Sequence, residues 1–137
     1  MSCNLHFSIR LSIRHPNIDP SEITRTLNII PRDCWQIGSP RRAPNGVSRP
    51  GVYKESGWTK DWDVDGRRNF FGSVDETLNI LEPGKELLNR IVETSGSIYL
   101  VVHLAGSRNI GSDLTFETQS RLSAFGIRLG IEVFPDM

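Results

Sequence analysis

Asp61-x-Asp63-x-Asp65-Gly66 sets three carboxylates on alternate residues ahead of a glycine, the opening spacing of a loop that wraps a hard cation such as calcium. The bidentate glutamate such a loop needs at its twelfth position is instead Gly72, and Arg67 and Arg68 would compete for the carboxylates. The run reads as a solvated acidic–basic turn, and neither metal nor cofactor is expected. The histidines are His6, His15 and His103. His6 and His103 occupy outward positions of strand-like segments, where with Glu132 they would form only a sparse metal site. No His-x-x-x-His or Cys-x-x-Cys spacing supports one. Cys34 is the candidate nucleophile, but no neighbouring motif lowers its pKa. A Gly-x-Ser-x-Gly elbow and a paired-carboxylate signature are both missing. The expectation leans away from an enzyme.

Charge offers more than nucleophiles do. Residues 32–54 hold Arg32, Arg41, Arg42, Arg49 and Lys54 against Asp33 alone, a net charge of +4. Trp35 and Tyr53 lie among them, a mixture able to hold phosphates or a stacked base. Yet the chain has no phosphate-cradling glycine loop, no zinc-finger spacing and no ribonucleoprotein aromatic motif. Residues 69–137 offset the excess with 5 basic and 9 acidic residues. Nucleic acid is therefore not the expected partner. An ordinary charged loop, or a surface that docks an acidic protein, is the expectation.

The elements that must carry these residues follow from periodicity. Residues 5–14 alternate, with Leu5, Phe7, Ile9, Leu11 and Ile13 on one face and His6, Ser8, Arg10, Ser12 and Arg14 on the other. Such a strand has one buried face, so helices should pack on one side of its sheet. Asp19-Pro20-Ser21-Glu22 starts a helix as cap, first-turn proline and capping-box glutamate, with Ile18 and Ile23 placed for a hydrophobic staple. Ile23, Leu27 and Ile30 form its apolar stripe and Pro31 its end.

Turn residues punctuate 31–72, leaving short strands at Cys34–Ile37 and Val52–Trp58. All three tryptophans, Trp35, Trp58 and Trp62, fall in this stretch. Ser73-Val74-Asp75-Glu76 predicts a second capping box, and Pro83-Gly84 a break in the helix that follows. Residues 97–105 are an apolar strand, Thr115 and Gly126 cap and stop a further helix, and 127–134 alternate again before Pro135.

The sum is an α+β chain in the order β-α-β-β-α-β-α-β. It is expected to form a ferredoxin-like two-layer sandwich, with a mostly antiparallel sheet and helices on one face. One domain covers 1–137, with its core at about 5–136 and a loop-rich insert at about 38–72. At 137 residues and 15.4 kDa the chain can bury a two-layer core without staples. Its 37% hydrophobic and 23% charged residues argue against both disorder and a membrane span. The 16 basic and 16 acidic residues cancel, removing any whole-chain argument for a nucleic-acid or membrane partner. Cys3 and Cys34 lack a spacing that suggests pairing, and no signal-like apolar run opens the chain. The expectation is a cytoplasmic protein with free thiols.

Several stretches also carry a family likeness. HPNIDPSEITRTLNIIP, CWQIGSPR, GVYKESGW, the helix broken by LEPG and the terminal AFGIRLGIEVFPD together resemble a small bacterial family, domain of unknown function 4279. The likeness runs from about residue 5 to residue 136, while DWDVDGRRNFFG at 61–72 stands outside it. It implies a single domain and no particular activity.

The functional expectation is a non-catalytic module docking a protein partner, in the manner of an immunity protein or antitoxin. Its candidate binding residues are Arg10, Arg14, Trp35, Arg41, Arg42, Tyr53, Trp58, Tyr99, His103 and Arg128. The alternative is a small hydrolase or transferase acting on an anionic substrate in a Trp/Arg-lined groove. In solution the chain would be a monomer or an edge-paired homodimer.

Overall fold

The computed structural model describes residues 6–43, 45–64, 70–105 and 112–134. A five-stranded sheet is built around β1 (His6–His15), which lies between β5 (Ser56–Val64) and β6 (Ser97–Ala105), antiparallel to both. β2 (Asp33–Trp35) pairs antiparallel with β5 at one edge, and β7 (Ile127–Phe134) pairs parallel with β6 at the other. A separate hairpin is formed by β3 (Pro40–Arg42) and β4 (Ser48–Val52). The fold is α+β with a mostly antiparallel sheet, as the patterning predicts.

The alternation of β1 decides which face is buried. Phe7, Ile9, Leu11 and Ile13 join Trp58, Ile98, Leu100, Val102, Leu104 and Ile127 in one apolar cluster. Helices α1 (Pro20–Leu27), α2 (Phe70–Leu81), α3 (Lys85–Glu93) and α4 (Phe116–Phe125) all contribute to that same cluster. The opposite face presents Ser8, Arg10, Ser12 and Arg14, each only partly buried.

The pairing goes beyond the expected order. Residues 38–64 supply a hairpin and a long central strand rather than one loop-rich insert. β1 has no parallel neighbour, which a split β-α-β of the ferredoxin-like kind would give it. The expected Val52–Trp58 strand is divided, because Tyr53 turns to exchange backbone hydrogen bonds with Gly38 and Ser39. Asp61 and Asp63 stand in β5 opposite Arg10 and Ser8, not in a turn. Asp65 and Gly66, the remainder of the calcium-like spacing, lie outside the described residues.

Helix ends are correct where a side chain can cap and wrong where packing overrules the cap. Asp19 accepts from the Ser21 amide at 3.0 Å with Pro20 in the first turn, and Thr115 accepts from the Thr118 amide at 3.2 Å. Glu22 does not close a capping box, because its carboxylate pairs with Arg90 on α3. Helix α1 stops at Leu27, before Pro31, since Asn28 adopts a left-handed conformation (φ 54°). That turn packs Ile29 against the core and leaves Ile30 81% exposed, correcting the apolar stripe. Ser73 is no cap either. Helix α2 already includes Phe70, and Ser73 is buried inside it with Val74 and Thr77. Continuing the buried face N-terminally outweighs the preference of Ser73 for a cap. At Pro83-Gly84 the helix breaks as expected, into one 3-10 turn, Glu82–Gly84. Gly84 is needed there because a Cβ would meet Leu27 Cδ2 at 2.3 Å.

Candidate binding groove

The site begins with a missing side chain. Trp35, Gly57 and Arg14 are successive partners across β2, β5 and β1, so they form one row on the helix-free face. Because Gly57 has no side chain, the Trp35 indole lies across it, within 2.2 Å of where a Cβ would stand. The Arg14 guanidinium sits 4.4 Å above the indole ring, a cation–π contact. Tyr53, from the segment after the hairpin, stacks on the same ring with centroids 5.2 Å apart and planes 23° from parallel. Its hydroxyl accepts from the Arg42 amide and donates to the Arg42 carbonyl, both at 3.3 Å. One aromatic pair thus fixes both an arginine of the sheet and the backbone of an arginine of the hairpin.

Around this pair opens a groove of about 1150 Å³. It wraps the short β2 edge, between the sheet face, the first turn of α1 and the hairpin. Arg10, Arg14, Arg25, Arg32 and Arg42 line it, against the carboxylates Asp19 and Asp33. Two of the five share one acid from the neighbouring strand position, which offsets one of their two charges. Asp61 takes Arg10 Nε at 2.7 Å and Arg32 Nη1 at 2.5 Å. The Arg10 hydrogen bond holds the Asp61 carboxyl below its ordinary range, and Asp61 in turn raises Arg10. Arg25 only reaches the Ser21 hydroxyl, at 3.3 Å. Among the described residues no carboxylate pairs with Arg14 or Arg42. Both residues line the groove, so among the described residues they are groove cations without an acidic partner.

The structure divides the expected platform in two. Arg10, Arg14, Trp35, Arg42 and Tyr53 line the groove, whereas Arg41 is on the exposed surface of the hairpin and does not. Trp58 is no anchor. It is fully buried on the helix side of β5, and its indole N–H donates to Thr24 at 3.0 Å. Strand alternation explains this, since Trp58 points opposite to Gly57 and Thr59. Trp62 likewise packs against the core.

Tyr99, His103 and Arg128 stand beyond β1, on β6 and β7. There Arg128 donates to the Tyr99 hydroxyl at 2.8 Å and lies 5.4 Å over its ring. His103 Nδ1 is 3.4 Å from Glu132, and its ring stacks on Phe134 at 5.8 Å. The His6 side chain is outside the described set. Among the described residues no three His, Cys, Asp or Glu side chains are grouped to hold a metal ion.

Sequence reasoning named neither Gly57 nor Asp61 as part of the site. A glycine inside a strand is a signal for close approach, and it was available at position 57. Asp61 was masked by its calcium-like spacing. Cys34 lines the groove too and is a free thiol. Burial pushes its pKa up, and Asp33 and Asp19 push it further. Among the described residues no histidine lines the groove to take its proton.

Among the described residues no helix is long and apolar enough to cross a membrane. A family model described as "Domain of unknown function (DUF4279)" matches residues 4–134. No curated protein and no solved structure matches the chain.

Proposed function

Since the chain belongs to the DUF4279 family, whose description assigns no activity, we propose from the groove itself that it is a non-catalytic module docking an acidic segment of a protein partner. One observation carries this reading: Arg14 is stacked 4.4 Å over Trp35 at the wall of an open groove, without a carboxylate partner among the described residues. An arginine held against an indole gives up rotamer freedom before binding, so less ordering entropy is lost on contact. Arg42, whose backbone is held by Tyr53, supplies a second cation in the same groove. Trp35 and Tyr53 add the rigid aromatic surface typical of interface anchors. Free Cys34 is compatible with a cytoplasmic setting. An immunity- or antitoxin-like neutraliser is one form such docking takes, and a toxin encoded beside this chain would favour it.

The test compares the native chain with Arg14→Glu, Arg42→Glu and Arg41→Glu in affinity purification from the native cell. Any captured protein is then identified, purified and titrated calorimetrically. Arg14→Glu and Arg42→Glu should each weaken binding by at least about tenfold, as for a truncated charged contact at an interface. Arg41→Glu, outside the groove, should leave it unchanged. A partner equally indifferent to all three, or no partner above background, refutes the reading.

A second reading has one observation in its favour: Cys34 and Arg42 line the same groove, as a transferase or hydrolase of anionic substrates would require. The raised thiol pKa counts against it, as does the lack of a histidine among the described lining residues.

A further inference from the structure

The two edges of the sheet are built differently. β2 is three residues long and bordered by the groove, a blunted edge of the kind that resists pairing. β7 runs for eight residues, Ile127–Phe134, without a proline, and no described strand pairs with its outer side. Its second half is apolar and uncovered, with Ile131 48%, Val133 62% and Phe134 52% exposed. Arg128 and Glu132 are the charges on this strand, both on the helix-free face, with Gly130 midway between them.

That spacing is self-complementary. A two-fold axis perpendicular to the sheet keeps every side chain on its own face, so antiparallel partners in the two copies must share parity. Centring the axis on Gly130 sets Arg128 of each copy opposite Glu132 of the other. The same register sets Ile127 opposite Val133 and Leu129 opposite Ile131, so apolar faces apolar along the helix side. Centring the axis on Arg128 or Glu132 would set like charges opposite each other, which is unfavourable. Centring it on Ile131 would leave both charged residues unmatched.

We propose that β7 is a homodimer interface, in which two copies of this chain pair antiparallel about Gly130 into a continuous ten-stranded sheet held in register by two Arg128–Glu132 pairs. The groove lies at the opposite edge of the sheet, so each dimer would present its two grooves at its far ends.

The experiment is sedimentation of the full chain over a wide concentration range, with circular dichroism confirming that each variant is folded. The native chain should associate to twice its 15.4 kDa mass. Arg128→Glu and Glu132→Arg each place like charges at both contacts, and each should weaken association by about tenfold or more. Mixing these two variants restores both pairs, because one chain then carries two glutamates and the other two arginines. The mixture should therefore form a heterodimer that neither variant matches alone. A native chain that stays monomeric throughout overturns the proposal. So does a dimer that neither reversal weakens, or one that mixing fails to restore.

Discussion

Gly57 and Trp35 share one space above the sheet: a Cβ on the glycine would stand 2.2 Å from Cζ2 of the indole and 2.4 Å from Cε2. Neither residue is intelligible alone. The glycine leaves a gap in the central strand pair, the tryptophan fills it, and Arg14 and Tyr53 then pack on the indole. Gly57→Ala should lift the indole off the sheet. The expected cost is about 1–3 kcal/mol, the range for a well-packed site forced to accept one extra carbon. Urea unfolding measures that cost, and near-UV circular dichroism reports the loss of the Trp35–Tyr53 stack. An alanine variant with native stability and an unchanged aromatic spectrum would show that the indole does not rest there.

How far this arrangement could be read in advance depended on range. The alternation of β1 is local, and it correctly assigned Phe7, Ile9, Leu11 and Ile13 to the core and Arg10 and Arg14 to the open face. Asp19, Thr115 and Gly126 were legible for the same reason, because capping is settled within a few residues. Strand pairing is not local. Nothing in the neighbourhood of Asp61 indicates that Arg10, 51 positions away, will neutralise it, so a strand carboxylate resembled the start of a cation loop. Trp58 shows the same blindness in another form. Its type suits either core closure or an anchor, and the phase of β5, which decides between them, is set by pairing with β1.

The Asp61 cluster should be visible in acid. Its carboxyl pKa is lowered from the ordinary 3.8, chiefly by Arg10 and also by Arg32. A carboxyl with a depressed folded pKa stabilises the fold fully above its unfolded pKa, and that contribution fades as pH falls through the folded value. The pair is about one-third exposed, so the contribution should be modest, on the order of 1 kcal/mol. Asp61→Asn should therefore lower stability near neutral pH and show a smaller further loss than the native chain below about pH 4. Equal acid sensitivity in the two proteins would contradict the assignment.

Cys34 offers a direct measurement on the groove floor. Its thiol is exposed enough to be reached, yet burial and the neighbouring Asp33 and Asp19 hold its pKa above the ordinary 9.0. Alkylation proceeds through the thiolate, so iodoacetamide should modify Cys34 more slowly at neutral pH than it modifies a free thiol. Asp33→Asn should speed the reaction by removing part of the repulsion. Rapid modification of the native chain would reverse the argument against a nucleophilic role and favour the catalytic reading. Because the chain carries a second cysteine, Cys3, the rate is read by mass spectrometry of the Cys34 peptide.

His15 ties the groove to pH through the turn that precedes α1. Its ring is buried, and Nδ1 accepts from the amides of Asn17 at 3.1 Å and Ile18 at 2.9 Å. Nδ1 therefore carries no proton, Nε2 does, and Nε2 donates to the Thr94 hydroxyl at 2.7 Å. The Thr94 hydroxyl in turn donates a hydrogen bond to the Arg90 carbonyl at 2.6 Å, so the turn is anchored to the end of α3. Protonating Nδ1 would break both amide bonds at once. Burial lowers the pKa of the ring from 6.5, with Glu22 opposing weakly. A base with a depressed folded pKa leaves stability intact above its unfolded value. Stability is then lost as pH falls from 6.5 toward the folded value, because only the unfolded chain takes up the proton readily. His15→Asn keeps an acceptor oxygen near the Nδ1 position but cannot titrate. Denaturant melts between about pH 8 and about pH 5 should therefore show a decline in the native chain that is absent or smaller in His15→Asn, even though losing the Thr94 bond makes that variant less stable at the alkaline end. Parallel curves for the two proteins would mean that the pH sensitivity arises elsewhere.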